Sequence, residues 1–122
     1  MTIPFIAVID DDEALCSSLV DLMRSAGYRA EPFKSAETFL MCSDRLGFGC
    51  IIADIHMPGM SGLDLVRNLR EQGITTPVIL ITALPDRHLH EEAMSVGALC
   101  LLRKPFETGS LLEYVERSLR CA

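Results

Sequence analysis

Short apolar runs alternate with longer segments of helical periodicity along the chain. The apolar runs predict five strands, at Pro4–Ile9, Tyr28–Phe33, Cys50–Ala53, Pro77–Thr82 and Leu99–Leu102. Apolar residues three or four positions apart predict five helices, over 13–26, 35–43, 61–73, 86–97 and 107–120. In the first helix the predicted apolar face holds Leu15, Leu19, Leu22, Met23 and Ala26. Strands and helices therefore follow one another in strict alternation.

Capping residues support the ends of these helices. Ser35 and Asp86 can each accept a hydrogen bond from an unpaired amide at a helix N-terminus. The segment Ser61–Asp64 resembles a capping box, in which two residues satisfy each other's backbone donors. Gly27 and Gly97 can end helices because glycine adopts the left-handed conformation without strain.

Five β–α units in alternation predict a parallel sheet with helices on both faces. The last three strands are almost entirely apolar, as expected for strands that are buried on both sides. This pattern is typical of a doubly wound α/β fold, in which ligands bind beyond the carboxyl ends of the strands. We therefore look for the chemistry of this protein at that edge of the sheet.

Composition limits the classes of protein that fit this chain. Its 122 residues, 49% of them hydrophobic, suit one domain, 1–122, with a substantial core. The net charge of −6 argues against direct nucleic-acid binding, which usually needs a basic surface. No apolar run approaches the roughly 18–20 residues of a membrane span, and the N-terminus lacks a signal-peptide pattern, so we expect a cytoplasmic location without membrane contact. Five cysteines without CxxC spacing are expected to be buried small hydrophobes, with Cys121 the most exposed.

Acidic residues follow two strands that are far apart in the sequence. Asp10 and Asp11 come after the first strand and Asp54 after the third, and the shared sheet edge brings them together. Carboxylates in such a cluster repel one another, and a divalent ion such as Mg²⁺ or Mn²⁺ relieves that repulsion. Thr82, at the end of the fourth strand, and Lys104, just past the fifth, add a hydroxyl and a positive charge for a phosphoryl group. Asp54 can then act as a nucleophile and form an acyl phosphate.

Four segments, in order and across nearly the whole chain, resemble the receiver family of two-component response regulators. They are Val8–Asp12, Asp54–Gly62, Ile81–Ala83 and Lys104–Phe106, and their amino-acid sequences are most similar to those of FixJ/NarL-like members. The resemblance implies a flavodoxin-like (β/α)5 fold with strand order 2-1-3-4-5.

The resemblance also implies roles for individual residues. Asp54 is expected to be the phosphoacceptor, assisted by Thr82 and Lys104. Asp10 and Asp11 are expected to hold Mg²⁺ together with Asp54 and the backbone carbonyl of His56. A cis peptide is implied between Lys104 and its following proline.

A receiver of this kind takes its phosphoryl group from a sensor histidine kinase. It is expected to assist its own phosphorylation and slow dephosphorylation, without turning over a separate substrate. The resemblance further implies a homodimer that forms on phosphorylation through the fourth helix, fifth strand and fifth helix. We expect control of a transcriptional output domain that is not present in this chain.

Other residues near the site have a simpler structural interpretation. Asp12 is expected to cap the first helix. His88 and His90 stand two positions apart on a predicted helix, so their side chains diverge and surface positions are expected. The pattern of a P-loop, GxxxxGK[ST], is absent from the sequence, which excludes a P-loop nucleotide triphosphatase.

Two rival functions are compatible with the same fold. The first is a degenerate receiver that serves for dimerisation or docking without phosphate, and it draws on Leu101, which stands where receivers commonly carry an aromatic residue. The second is a small enzyme or flavin binder. A flavin site would show a loop rich in Ser, Thr and Gly after the first strand, where this chain has three aspartates and a glutamate.

Overall fold

The computed structural model describes residues 5–42 and 47–120 as alternating strands and helices. The strands are β1 (Phe5–Ile9), β2 (Arg29–Phe33), β3 (Cys50–Asp54), β4 (Val78–Thr82) and β5 (Cys100–Arg103). The helices are α1 (Glu13–Ser25), α2 (Ala36–Leu40), α3 (Gly62–Glu71), α4 (Arg87–Val96) and α5 (Thr108–Arg120). This confirms the predicted order of elements, while the predicted ends at Pro4 and Ser43 lie outside the described residues. No helix in this part of the chain is long and apolar enough to cross a membrane.

All five strands pair in parallel, in the order β2-β1-β3-β4-β5. The predicted flavodoxin-like (β/α)5 topology is therefore confirmed. The register places Ile9 beside Ala53 and Thr82 beside Arg103, with Asp54 beside the residue before Thr82. The carboxyl ends of the inner strands thus reach the same edge of the sheet.

Apolar clusters cover both faces of the sheet. On one face α2, α3 and α4 contribute Ala36, Phe39, Leu65, Leu69 and Ala93. On the other face α1 and α5 contribute Cys16, Leu19, Val20, Leu111 and Val115. The sheet is therefore a central layer between two layers of helices, as expected for a doubly wound fold.

The fifth strand differs from its prediction. Every residue of β3 and β4 is buried, but β5 has three half-buried residues and an exposed Arg103. The cause is its position, since β5 is an edge strand and has a neighbour on one side only. The apolar run predicted its strand character correctly and its burial wrongly.

The buried face of α1 also differs from the predicted one. Its buried residues are Cys16, Leu19, Val20 and Met23. Leu15 and Leu22 are half-buried and line a groove of about 820 Å³, together with Phe106 and its neighbours. Ala26 is exposed. The predicted helical period was correct. The observed buried face differs from the predicted apolar face by about one residue position around the helix.

The predicted capping signals act as expected. Ser35 and Asp86 accept amide hydrogen bonds at the starts of α2 and α4. Ser61 forms a reciprocal capping box with Asp64 at the start of α3. Gly97 ends α4 with a φ of 100°. Local sequence therefore determines where these elements begin and end.

The described cysteines are packing residues. Cys16 and Cys50 are buried, and Cys100 is half-buried. Burial raises the pKa of the Cys50 thiol to about 11 and that of Cys100 to about 12. Both thiols therefore stay protonated at neutral pH. Cys121 lies outside the described residues.

Gly62 stands where α3 passes close to the end of β3. A Cβ atom there would lie 2.6 Å from the backbone oxygen of Asp54 and 3.1 Å from Cα of Ile55. These backbone atoms cannot move without disturbing the strand end, so we predict that Gly62→Ala lowers the free energy of unfolding by about 1–3 kcal/mol. Urea denaturation measures this change. Gly109→Ala is the control, because its Cβ would meet nothing within 4 Å. Equal losses in the two variants would contradict the packing argument.

Candidate functional site

Asp10 follows β1 in a buried position, with 3% of its surface exposed. Its Oδ1 accepts a hydrogen bond of 2.9 Å from the backbone amide of Asp12. Its Oδ2 is buried and, among the described residues, accepts no hydrogen bond. The ammonium of Lys104 lies 3.6 Å from that oxygen. A buried carboxylate oxygen without a hydrogen bond is costly, so its position points to a ligand at the site.

Asp54 is the last residue of β3, and its neighbours hold it at the same edge of the sheet. The amide of Ile55 donates 2.9 Å to the carbonyl of Ile81 on β4, which extends the pairing past the strand end. The Nζ of Lys104 lies 3.3 Å from Asp54 Oδ2. The carboxylate is buried but beside a cation, as a nucleophile for an anionic group requires.

Three carboxylates converge at this edge. Asp10, Asp11 and Asp54 each offer an oxygen within 4.8 Å of the others. Asp10 and Asp54 are buried, whereas Asp11 is exposed. Hard divalent cations prefer such oxygen ligands, and Mg²⁺ retains several waters, which the exposed side of the cluster allows. The three carboxylates, with an Asp10 Oδ2 that accepts no hydrogen bond among the described residues, therefore fit Mg²⁺ or Mn²⁺.

The electrostatics of Asp10 reflect this crowding. Burial is the main cause that raises the pKa of its carboxyl, and the negative charge of Asp54 adds to it. The amide of Asp12 and the ammonium of Lys104 act in the opposite direction, but they do not compensate fully. The protein groups alone therefore do not fully stabilise the charged form of Asp10.

Thr82 ends β4 and is fully buried. Its Oγ1 accepts a 3.1 Å hydrogen bond from the backbone amide of Leu84, and its carbonyl accepts a 2.8 Å bond from the amide of Lys104. The hydroxyl proton takes no part in the first bond, so Thr82 can donate it to another group. Leu84 itself is exposed over 73% of its surface and stands at the rim of the site.

The structure agrees with several smaller predictions around the site. Asp12 caps α1, its Oδ1 accepting from the amide of Leu15 at 3.1 Å. His88 and His90 are exposed. The peptide between Lys104 and Pro105 is cis.

One residue beside the site escaped sequence reasoning. Glu37, in the first turn of α2, accepts a hydrogen bond of 3.3 Å from the amide of Met60 in the loop between β3 and α3. That loop also carries His56, whose side chain is exposed. No local signal links Glu37 to this loop, because 23 residues separate Glu37 from Met60. Only the packing of α2 against the sheet edge brings them together.

Comparisons with known proteins identify the family. A profile of the response regulator receiver domain matches residues 6–116. The transcriptional regulatory protein FixJ of Bradyrhizobium diazoefficiens is 39% identical over 117 residues, which are 96% of this chain and 57% of FixJ. TodT, a response regulator protein of Pseudomonas putida, is also 39% identical over 117 residues, 96% of this chain and 52% of TodT. The crystal structure of FixJ-N superposes with a TM-score of 0.90 at 34% identity and covers 100% of this chain and 98% of that one.

The chain therefore belongs to the family of response regulator receiver domains. It is a receiver domain of the two-component type, and its relatives include transcriptional regulators. The chain spans about half the length of the curated relatives that it matches. We attribute the functions of the remaining half to those relatives and not to this chain.

We predict that Asp10→Asn stabilises the metal-free protein at neutral pH, because the amide removes the charge that burial disfavours. A carboxyl whose folded pKa lies above its ordinary value of 3.8 binds its proton more tightly in the folded state. That protein therefore loses stability as the pH rises through this range, and a neutral amide removes the loss. Urea unfolding in the presence of a chelator, at several pH values, measures the difference.

The advantage of Asp10→Asn over the wild type should grow as the pH rises above 3.8. Asp11→Asn is the control and should change stability less, because Asp11 is exposed and remains hydrated. A destabilised Asp10→Asn protein at neutral pH would show that Lys104 already compensates the buried charge.

Proposed function

We propose that this chain is a phosphorylation-controlled switch in which Asp54 accepts a phosphoryl group from a sensor histidine kinase. The observation that carries the proposal is the convergence of Asp10, Asp11 and Lys104 on the Asp54 carboxylate. Receiver domains in general have a histidine kinase as their partner. We therefore also propose a cytoplasmic location for this chain. Direct nucleic-acid binding and membrane contact are not part of it.

The metal site in this proposal consists of Asp10, Asp11, Asp54 and the backbone carbonyl of His56. When bound, Mg²⁺ or Mn²⁺ supplies positive charge to the phosphoryl oxygens. Asp10 and Asp54 are held in place by the sheet, and Asp11 lies on the exposed side. The site thus combines rigid ligands with access to solvent.

The protein groups support an in-line transfer. A carboxylate oxygen of Asp54 forms a bond to phosphorus while the bond between phosphorus and the histidine nitrogen breaks, and its electron pair returns to the imidazole. The Lys104 ammonium, 3.3 Å from Asp54, neutralises charge on the transferred group. The hydroxyl of Thr82 can donate to another phosphoryl oxygen. The product is an acyl phosphate on Asp54.

Access for the kinase is compatible with the surface beside the site. Lys104 borders both the acidic cluster and the apolar groove along α1. A partner that fills the groove therefore stands next to Asp54.

We propose that the chain, residues 1–122, acts as one receiver domain with no separate substrate and assists only its own phosphorylation and slow dephosphorylation. Control of a transcriptional output domain is part of the same proposal, by analogy with FixJ.

Phosphorylation should map to Asp54. Incubation with acetyl phosphate and Mg²⁺ should add one phosphoryl group, measured by intact mass spectrometry. Asp54→Asn should abolish the addition, because an amide oxygen is a poor nucleophile. Asp21→Asn is the matched control, since Asp21 is an exposed carboxylate on α1, and it should be labelled like the wild type. Labelling that persists in Asp54→Asn would refute the assignment.

The switch in this proposal begins at Thr82. Because Thr82 Oγ1 accepts from the amide of Leu84, a hydroxyl drawn toward a phosphoryl group must change that contact with the loop before α4. Leu101, at the usual aromatic position, is half-buried and packs against the core on the side of α4. A leucine there can change rotamer as the loop moves.

Phosphorylation should promote a homodimer through α4, β5 and α5. This face has exposed apolar surface at Met94 and Leu99, and Lys104 follows β5 at its site end. Beryllofluoride, a phosphoryl mimic, should raise the dimer fraction in sedimentation velocity, and Met94→Asp should reduce it. Met41→Asp is the control, because Met41 is 86% exposed at the end of α2 and should leave dimerisation unchanged. A monomer at high concentration with the mimic bound would count against this interface.

The degenerate-receiver alternative gains no support from the structure or the comparisons. The proximity of Asp10, Asp11, Asp54 and Lys104 at one edge of the sheet supports the phosphorylated receiver over this alternative. The flavin alternative also lacks support, since carboxylates occupy the place after β1 where a phosphate would sit.

A further inference from the structure

The loop between β3 and α3 is anchored at its base on both sides. Ile55 donates its amide to β4, and the amide of Gly62 donates 3.1 Å to the carbonyl of Ile55. Ile55 and Met57 are buried in the core. Between the hydrogen-bonded residues Ile55 and Gly62 the chain turns outward, and His56 and Gly59 are exposed there.

The tip of this loop has a separate contact, from α2. The Oε2 of Glu37 accepts the 3.3 Å hydrogen bond from the amide of Met60. The same oxygen is the nearest atom to a Cβ built at position 59, where the backbone has a φ of 77°. That conformation is the reason for glycine at this position. The Glu37 carboxylate is the end of an exposed side chain and could move aside for a Cβ, so the hydrogen bond to Met60 is the contact that links Glu37 to the loop tip.

The base of α2 makes Glu37 a stable support. Ser35 caps the helix, and Ala36 and Phe39 are fully buried on either side of Glu37 in the sequence. The backbone of Glu37 is therefore held by the core, although its side chain is exposed. A hydrogen bond from such a support restricts the loop more than a bond from a flexible segment would.

We propose that Glu37 is a positioning residue for the metal site. Its carboxylate holds the tip of the β3–α3 loop, and so restricts the segment that carries the His56 carbonyl. The inference rests on the proposed function, because it presupposes a metal ion held by that carbonyl and the acidic cluster. Glu37 itself does not belong to the cluster of Asp10, Asp11 and Asp54.

A rival explanation is that Glu37 contributes only negative charge near the cation. The two explanations differ for Glu37→Gln, which loses the charge but keeps a carbonyl oxygen that can accept from Met60. Glu37→Ala loses both. Glu71→Ala removes an exposed glutamate at the end of α3 and serves as the control for net charge.

The experiment is calorimetric titration of each variant with Mg²⁺, paired with amide hydrogen exchange of the metal-free proteins by NMR. Glu37→Ala should bind Mg²⁺ roughly threefold to tenfold more weakly, the range expected for the loss of one hydrogen bond. Its Met60 amide should exchange faster than in the wild type. Glu37→Gln should stay within about twofold of the wild type in affinity, and Glu71→Ala should match it.

The outcomes separate the inference from the function on which it rests. Equal weakening in Glu37→Gln and Glu37→Ala would assign the effect to charge and overturn the positioning role. Wild-type affinity in Glu37→Ala would overturn it as well. If the folded wild type bound no Mg²⁺ at all, the proposed function would fail, and the inference with it.

Discussion

Two buried carboxylates that share one ammonium group are the constraint on which this structure depends. Lys104 lies 3.3 Å from Asp54 and 3.6 Å from Asp10, while the third acid, Asp11, is exposed. Burying an ion costs several kcal/mol unless its partners compensate, and one cation cannot fully compensate two anions. The raised pKa of Asp10 is the sign of this imbalance. In the proposed function, a divalent cation would supply the missing positive charge, and the site would then accept a phosphoryl anion.

The sheet supplies the rigidity that holds like charges together. Every residue of β3 and β4 is buried, and the register aligns their ends. Pairing continues beyond the strands through the amide of Ile55 on one side and that of Lys104 on the other. Close-packed interiors resist small displacements, so the carboxylates cannot move apart to relieve their repulsion. The packed core thus keeps these two carboxylates close together, which is the arrangement that the proposed metal site requires.

The sequence predicted the features that local chemistry or topology determines. The caps at Ser35, Ser61 and Asp86 depend on residues three apart, and the meeting of Asp10 with Asp54 follows from strand order alone. Prediction failed where a feature depends on which other elements of the fold pack against it. The face of α1 and the burial of β5 depend on what packs against them, and periodicity does not contain that information.

Glu37 shows the same limit at the site itself. Its position in the first turn of a short helix is readable from the sequence, but its contact with Met60 is not. A residue that acts by holding another segment leaves no motif of its own, because the contact is made across the fold. Gly59 gives no signal for Glu37 either, because its positive φ by itself accounts for glycine at that position.

Under the proposed function, the mode of attachment of α4 makes this helix the element that a change at Asp54 would affect most easily. α4 buries one residue, Ala93, whereas α3 buries five. Polar contacts supplement this small apolar interface, with Arg67 2.9 Å from Glu92 and Arg70 donating 3.0 Å to the carbonyl of Gly97. Exposed ion pairs contribute little, so α4 is attached by a smaller free energy than α3. Leu84 lies in the loop between β4 and α4, and its amide donates to the Thr82 hydroxyl oxygen. In the proposed switch, a modest change at that hydroxyl would therefore act on the more weakly attached of these two helices.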